Sequence, residues 1–216
     1  MAVVMRADAA LRWLSREKPE IGRAKAALDH VMLAGRHASD VITNVRSMFN
    51  NDTQEKISTD INQLIRIILV LIHTDLRKHS VKTRVNLREQ LPPVSGNEVQ
   101  LQQVILNLMM NAIEAMDSAE TRVLSIKSEV TADKAVRVSI ADTGSGIDPD
   151  NLDRVFKPMF TTKTRGMGMG LAICKSIIES HNGRIWASAG VPRGSIFQFE
   201  YRPTAPSISS ICRAAI

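Results

Sequence analysis

Residues 134–147 read "KAVRVSIADTGSGI". Val136, Val138 and Ile140 alternate with Arg137 and Ser139, the period of a strand with one buried face. The alternation ends at Asp142, ahead of Gly144 and Gly146, so a carboxylate emerges from a strand end into a turn. Upstream, "RVLSIKSEV" (122–130) alternates in the same way, and "EVQLQQVILNLMMNAIEAMDSA" (98–119) has the three- and four-residue spacing of a long helix. Downstream, a Gly-rich irregular stretch over 143–170 leads to a helix at about 170–181 and strands at about 184–189 and 195–202.

Farther toward the N-terminus, "STDINQLIRIILVLIHTDLRKHS" (58–80) predicts one amphipathic helix with Ser58, Thr59 and Asp60 as cap candidates. "KTRVNLRE" (82–89) alternates as a strand until "LPP" (91–93) breaks it. Neighbouring strands interleaved with helices predict an α+β fold, an α/β sandwich in which helices cover one face of a single mixed sheet. Before this, apolar residues recur at helical spacing on both sides of "SREKPE" (15–20), which reads as a helical hairpin. Its first arm ends near Leu14 and its second runs from about Pro19 to about Phe49. The predicted boundaries are a hairpin over 1–50, a polar linker over 51–57, a main domain over 58–203 and a Ser- and Ala-rich tail over 204–216, expected to be disordered.

Aromatic residues make up 4% of the 216 positions against 44% hydrophobic, so the core must be built from aliphatic side chains and Met. A net charge of +6 without a block of like charges fits a phosphate-bearing small ligand or an acidic protein partner, and no nucleic-acid partner is predicted. Cys174 and Cys212 have no metal or redox spacing and read as reduced thiols of a cytoplasmic chain. The longest apolar run, "IILVLI" (67–72), falls far short of the roughly 20 residues of a membrane span, and the start has no signal-peptide pattern. No membrane segment is expected.

Four blocks carry chemistry. In "NLMMNAIEA" (107–115), Asn107 and Asn111 lie at i and i+4 on one helix face, which fits a neutral oxygen ligand for Mg²⁺ and a plain surface amide equally. In "IADTGSGI" (140–147), Asp142 fits either a turn or a carboxylate accepting a hydrogen bond from an adenine amino group, with glycines admitting the base closely. In "VFKPMFTTKTRGMGMGLAICKSI" (155–177), Gly166, Gly168 and Gly170 open a helix, an arrangement that cradles phosphate, with Lys163 as a nearby cation or a solvated one. "RGSIFQFEY" (193–201) turns through a glycine into a strand, where Ser195 can hydrogen-bond near a base.

Together and in this order, these blocks resemble the asparagine, glycine and phenylalanine boxes of bacterial sensor histidine kinases. "ALRWL" and "DVITNVR" resemble the dimerisation hairpin of the same family. The resemblance implies the ATP-binding catalytic domain shared with gyrase, Hsp90 and MutL, preceded by a truncated helical hairpin. By that resemblance Asn111 holds Mg²⁺ and Asn107 lines the phosphate region. Asp142 reads adenine, with Gly144 and Gly146 shaping the base pocket and lid hinge. Gly166, Gly168 and Gly170 cradle the phosphates, with Lys163 as a lid cation. Ile147, Phe160, Thr162, Leu171 and Ser195 complete the ATP site, under a lid over about 148–167. The implied catalytic residues are Asn107, Asn111 and Lys163, the cofactors ATP and Mg²⁺, and the partners a response regulator and a second copy of the chain.

Members of the wider group that hydrolyse ATP with water carry a Glu as general base where this chain has Asn107, and an amide takes no proton from water at neutral pH. That favours phosphoryl transfer to protein over hydrolysis. Met159 stands where the phenylalanine box commonly has a second aromatic. The family's phosphoacceptor His, followed by an acid and soon by Pro, is matched by none of His30, His37, His73, His79 and His181. The chain is expected to begin inside the helix that would hold it, with His30 beside Asp29 the one unusual alternative. The function implied is a histidine kinase catalytic region acting on a histidine outside this chain; the alternative is a nucleotide-binding dimerisation module without autokinase activity.

Overall fold

The computed structural model describes residues 2–32, 35, 56–162 and 168–201. The chain divides into two compact units, Met1–Asn50 and Asn51–Ile216. Most of the second hairpin arm beyond residue 32, with His37, lies outside the described residues, as do most of the linker and the tail over 204–216.

The first unit is a helical hairpin of α1 (Ala2–Leu14) and α2 (21–32). Between the arms the Glu20 N–H donates to the Trp13 carbonyl at 3.0 Å. Arg16 and Arg23 both pair with Glu20 and stack on the Trp13 ring, 4.0 and 4.6 Å from its centroid, so one aromatic and three charges fix the turn. Ala10 and Ala24 are its buried apolar side chains among the described residues.

The second unit runs β1 (Ile57–Thr59), α3 (Ile61–Leu71), α4 (His73–Lys78), β2 (Lys82–Leu87), β3 (Val94–Gly96), α5 (Glu98–Ala115), β4 (Val123–Val130), β5 (Val136–Ala141), a short 3₁₀ turn (Pro149–Asn151), α6 (Gly170–Ser180), β6 (Gly183–Ala189) and β7 (Ser195–Tyr201). Five strands form a mixed sheet in the order β2-β4-β5-β7-β6, parallel between β2 and β4 and antiparallel elsewhere. Alternation does what the sequence predicts. Leu124, Ile126, Val138, Ile140, Phe197 and Phe199 are buried with Leu64, Ile65, Leu108, Ile113, Ile173 and Ile177 of the helices. The other face carries a polar network in which Glu200 bonds Arg137 and Arg184, and Gln198 links Trp186 to Ser139. This is the α+β sandwich, with helices on one face of a mixed sheet. Among the described residues no helix is long and apolar enough to cross a membrane.

Three local expectations change. Ser58 and Thr59, expected to open a helix, instead form a strand with Ile57 of the expected linker, paired antiparallel with β3, where the Thr59 hydroxyl reaches the Gly96 carbonyl at 3.2 Å. Asp60 alone is the cap, accepting from Asn62 N and Gln63 N at 2.8 and 3.2 Å. The predicted helix 58–80 is also interrupted at Ile72, and α5 stops at Ala115 rather than near residue 119. There the chain tightens into i+3 bonds from Met116 and Asp117, and the Ser145 N–H takes up the Ala115 carbonyl at 3.2 Å.

Candidate functional site

Strand β5, the central strand of the sheet, ends at Ala141 and delivers Asp142 just beyond its C-terminal end, where the residue is buried. One oxygen, Oδ1, accepts the Gly144 N–H at 2.8 Å and the Ser195 N–H at 3.3 Å, and the Asp142 N–H donates to the Ser195 carbonyl at 3.0 Å. The side chain is therefore held by the backbone of its own turn and by the first residue of β7. Gly144 must be glycine, because a Cβ there would run into the Ala115 carbonyl at the end of α5. The loop after β5 is thus pressed against the end of α5. Gly146 has φ +81° and packs against Gly194.

On α5, Asn107, Asn111 and Ala115 follow one another at i+4 and share one stripe. At one end of the stripe, Asn107 hydrogen-bonds the Cys174 thiol of α6. At the other, Ala115 meets Gly144 and Ser145. Asn111, half-buried, stands midway between the start of the glycine turn and the packing surface of α6. Burial pushes the Cys174 thiol up to about 12, against the Asn107 bond, so this thiol stays protonated and acts as packing.

Helix α6 starts differently from its neighbours. Asp60 and Asn97 cap α3 and α5 through side-chain oxygens, whereas α6 opens at Gly170 behind Met169 with no side-chain cap and no acid in its first turn. A Cβ on Gly170 would meet nothing within 4 Å. Gly168, at φ +66°, lies against the Phe160 carbonyl, where a Cβ would come within 2.5 Å. Phe160 is half-buried, with the Arg154 guanidinium 5.0 Å from its ring centroid. Phe156 anchors the same segment by an edge contact to Phe197 at 6.2 Å between centroids.

The geometry joins Asp142, Gly144 and Ser195 directly and Asn107 to α6. Ile147 and Leu171 are half-buried against the core, and Thr162 is exposed. Lys163 and Gly166 lie outside the described residues. Met159 is 81% exposed at φ +63°, so the side chain in the place of an aromatic packs against little in this unit.

Two contributors escaped the sequence reasoning. The Thr143 hydroxyl accepts from Val123 N at 3.0 Å and donates to the Thr121 carbonyl at 2.6 Å, tying the turn to the start of β4. Gly194, at φ +98°, sits where a Cβ would strike the Asp142 carbonyl. Its signal was present in the Gly-Ser pair opening the last strand, but which backbone it would approach depends on strand order.

Residues 96–205, half of the chain, match the family described as histidine kinase-, DNA gyrase B- and HSP90-like ATPase. The chain belongs to this family. Sensor histidine kinase TmoS of Ectopseudomonas mendocina is 36% identical over 199 residues, 91% of this chain but 20% of TmoS. The catalytic domain of histidine kinase ThkA superposes with a TM-score of 0.63 at 36% identity, covering 70% of this chain and 97% of that domain. ThkA in complex with response regulator protein TrrA gives 0.71 at 26% identity, over 94% of this chain and 58% of that one. These relatives make this unit an ATP-binding catalytic domain of the sensor histidine kinase kind. The chain spans a fifth of TmoS and about a third of the next curated relatives.

Proposed function

We propose that this chain binds Mg-ATP between the Asp142 turn, the Asn107–Asn111–Ala115 stripe and the start of α6, and transfers the γ-phosphoryl to a histidine on another polypeptide or segment. The observation that carries the reading is the Asp142 carboxylate, buried at a strand end and locked by the Gly144 and Ser195 amides. A carboxylate so fixed is a preorganised acceptor for an exocyclic amine, and Gly144 and Gly146 leave the base room.

The uncapped start of α6 and the open space at Gly170 fit phosphate, because first-turn N–H groups and the helix dipole attract an anion there. Asn111 fits Mg²⁺, offering a neutral hard oxygen to an ion that shares its shell with phosphates. When bound, the ion neutralises developing charge on the phosphates. The chain's own part is to orient the nucleotide. Asp142 fixes the base, α6 with Gly168 and Gly170 receives the phosphates, and Lys163 and Gly166 belong to the same segment by resemblance. Asn107, turned to Cys174, has no carboxylate to activate water. This is the chemistry of a phosphotransferase rather than a hydrolase.

The recipient would be a two-component system, with a response regulator as downstream partner and a second copy of the chain paired through the hairpin in the cytoplasm. ThkA, at 26% identity, forms a complex with its response regulator TrrA. Incubation with γ-labelled ATP, Mg²⁺ and a hairpin fragment of a sensor kinase relative that carries a His-Glu or His-Asp pair tests the transfer. Acid-labile, base-stable label should appear on the fragment. Label on this chain alone, or release of inorganic phosphate with no phosphoprotein, would overturn the proposal.

A further inference from the structure

Strand β2 is an edge of the sheet, hydrogen-bonded to β4 on one side and to no strand on the other among the described residues. It is exposed from Lys82 to Asn86. On the helix side, a groove of about 410 Å³ is lined by Leu69, Val70, His73, Leu76 and Thr83. Val70 is 78% exposed, and Val85, which shares the face of Thr83, is 47% exposed. On the opposite face stand Lys82 and Arg84, with no ion pair among the described residues. Their register partners on β4 are Val123 and Ser125, which offer no acid.

An open backbone edge, an apolar groove on one side and two uncompensated cations on the other describe a template for a strand with alternating chemistry. We propose that β2 docks an extended segment of a partner protein in which apolar residues alternate with Asp or Glu. The segment adds to the edge as a further strand. Its apolar side chains enter the groove beside Val70 and Leu76, and its acids meet Lys82 and Arg84. Cations on an edge strand also discourage self-pairing, but that role leaves the exposed Val70 and Val85 unaccounted for. A second copy of β2 would bring the same cations to the same face, which selects against this chain as the occupant. The proposal is independent of the nucleotide site.

Selection from a random dodecapeptide display library against the full chain tests it, with fluorescence polarisation of the enriched peptides. Enriched sequences should alternate apolar and acidic residues. Their binding should weaken about tenfold or more in Lys82→Glu/Arg84→Glu and in Val70→Asp, with thermal melts matching the parent chain. Basic or uniformly apolar peptides, binding indifferent to both variants, or no enrichment would overturn it. So would self-association in sedimentation that Val70→Asp abolishes, since the occupant would then be a second copy.

Discussion

His181, at the C-terminal end of α6, accepts the Asn97 N–H on Nε2 at 2.9 Å and donates from Nδ1 to the Ile177 carbonyl at 2.7 Å. Asn97 in turn caps α5 by accepting the Gln100 N–H at 3.0 Å. One neutral imidazole therefore joins the end of one helix to the start of the other, and both helices carry parts of the proposed nucleotide site.

Burial lowers the His181 pKa below 6.5, the nearby Lys56 adds to the effect, and the Ile177 carbonyl opposes it. The unfolded chain takes up this proton at a higher pH than the folded chain, so the associated stability is complete above about pH 6.5 and is lost as pH falls through the folded pKa. Urea unfolding between about pH 7.5 and pH 5 should show it. His181→Phe should flatten that slope and cost about 1–3 kcal/mol at neutral pH, because the Asn97 N–H loses its acceptor.

Gly170 and Gly194 should separate binding from stability. Gly170→Ala places its methyl in open space at a helix start, so melting should be unchanged or slightly raised. Mg-ATP affinity should nonetheless fall about tenfold, because the methyl would fill the proposed phosphate side of the site. Gly194→Ala, at φ +98° and against the Asp142 carbonyl, should instead lose about 2 kcal/mol or more in chemical denaturation.

Ser128 is buried between Asn62 and Arg88. Its hydroxyl donates to Asn62 Oδ1 at 2.7 Å and accepts the Arg88 N–H at 3.0 Å, while Asn62 Nδ2 reaches the Arg88 carbonyl at 2.9 Å. Ser128→Ala removes the donor to the buried Asn62 Oδ1, while the Arg88 N–H keeps the Ser128 carbonyl at 3.2 Å, and should cost about 1–3 kcal/mol in denaturant titration. Ser128→Thr tests whether the loss is the bond or the space.

Cys174 should resist maleimide at pH 8 in the folded chain and react after unfolding, by peptide mapping, since it is fully buried with its thiol pushed up to about 12. Reaction in the folded state would show that α5 and α6 separate readily.

Much of this was legible in the sequence because it is local. Alternation over 136–140 marked a strand whose buried face is as predicted, the strand expected at about 195–202 is β7, and Asp142 and Ser195 stood at the end of the one and the start of the other. What escaped was non-local. Three residues at 57–59 have no period of their own and become a strand only because 94–96 lies alongside. Gly194 and Thr143 acquire their roles from the order β5-β7 and from the return of the turn to β4, contacts with no trace in residue spacing.

Calorimetric titration of Mg-ATP into the chain and into Asp142→Asn tests the central claim most directly. The substitution keeps the size of the side chain and removes the charge that the Gly144 and Ser195 amides orient. The account predicts saturable binding to the parent chain and affinity weakened more than about tenfold in the variant, with the fold intact by circular dichroism. Equal affinity in the two proteins would contradict it.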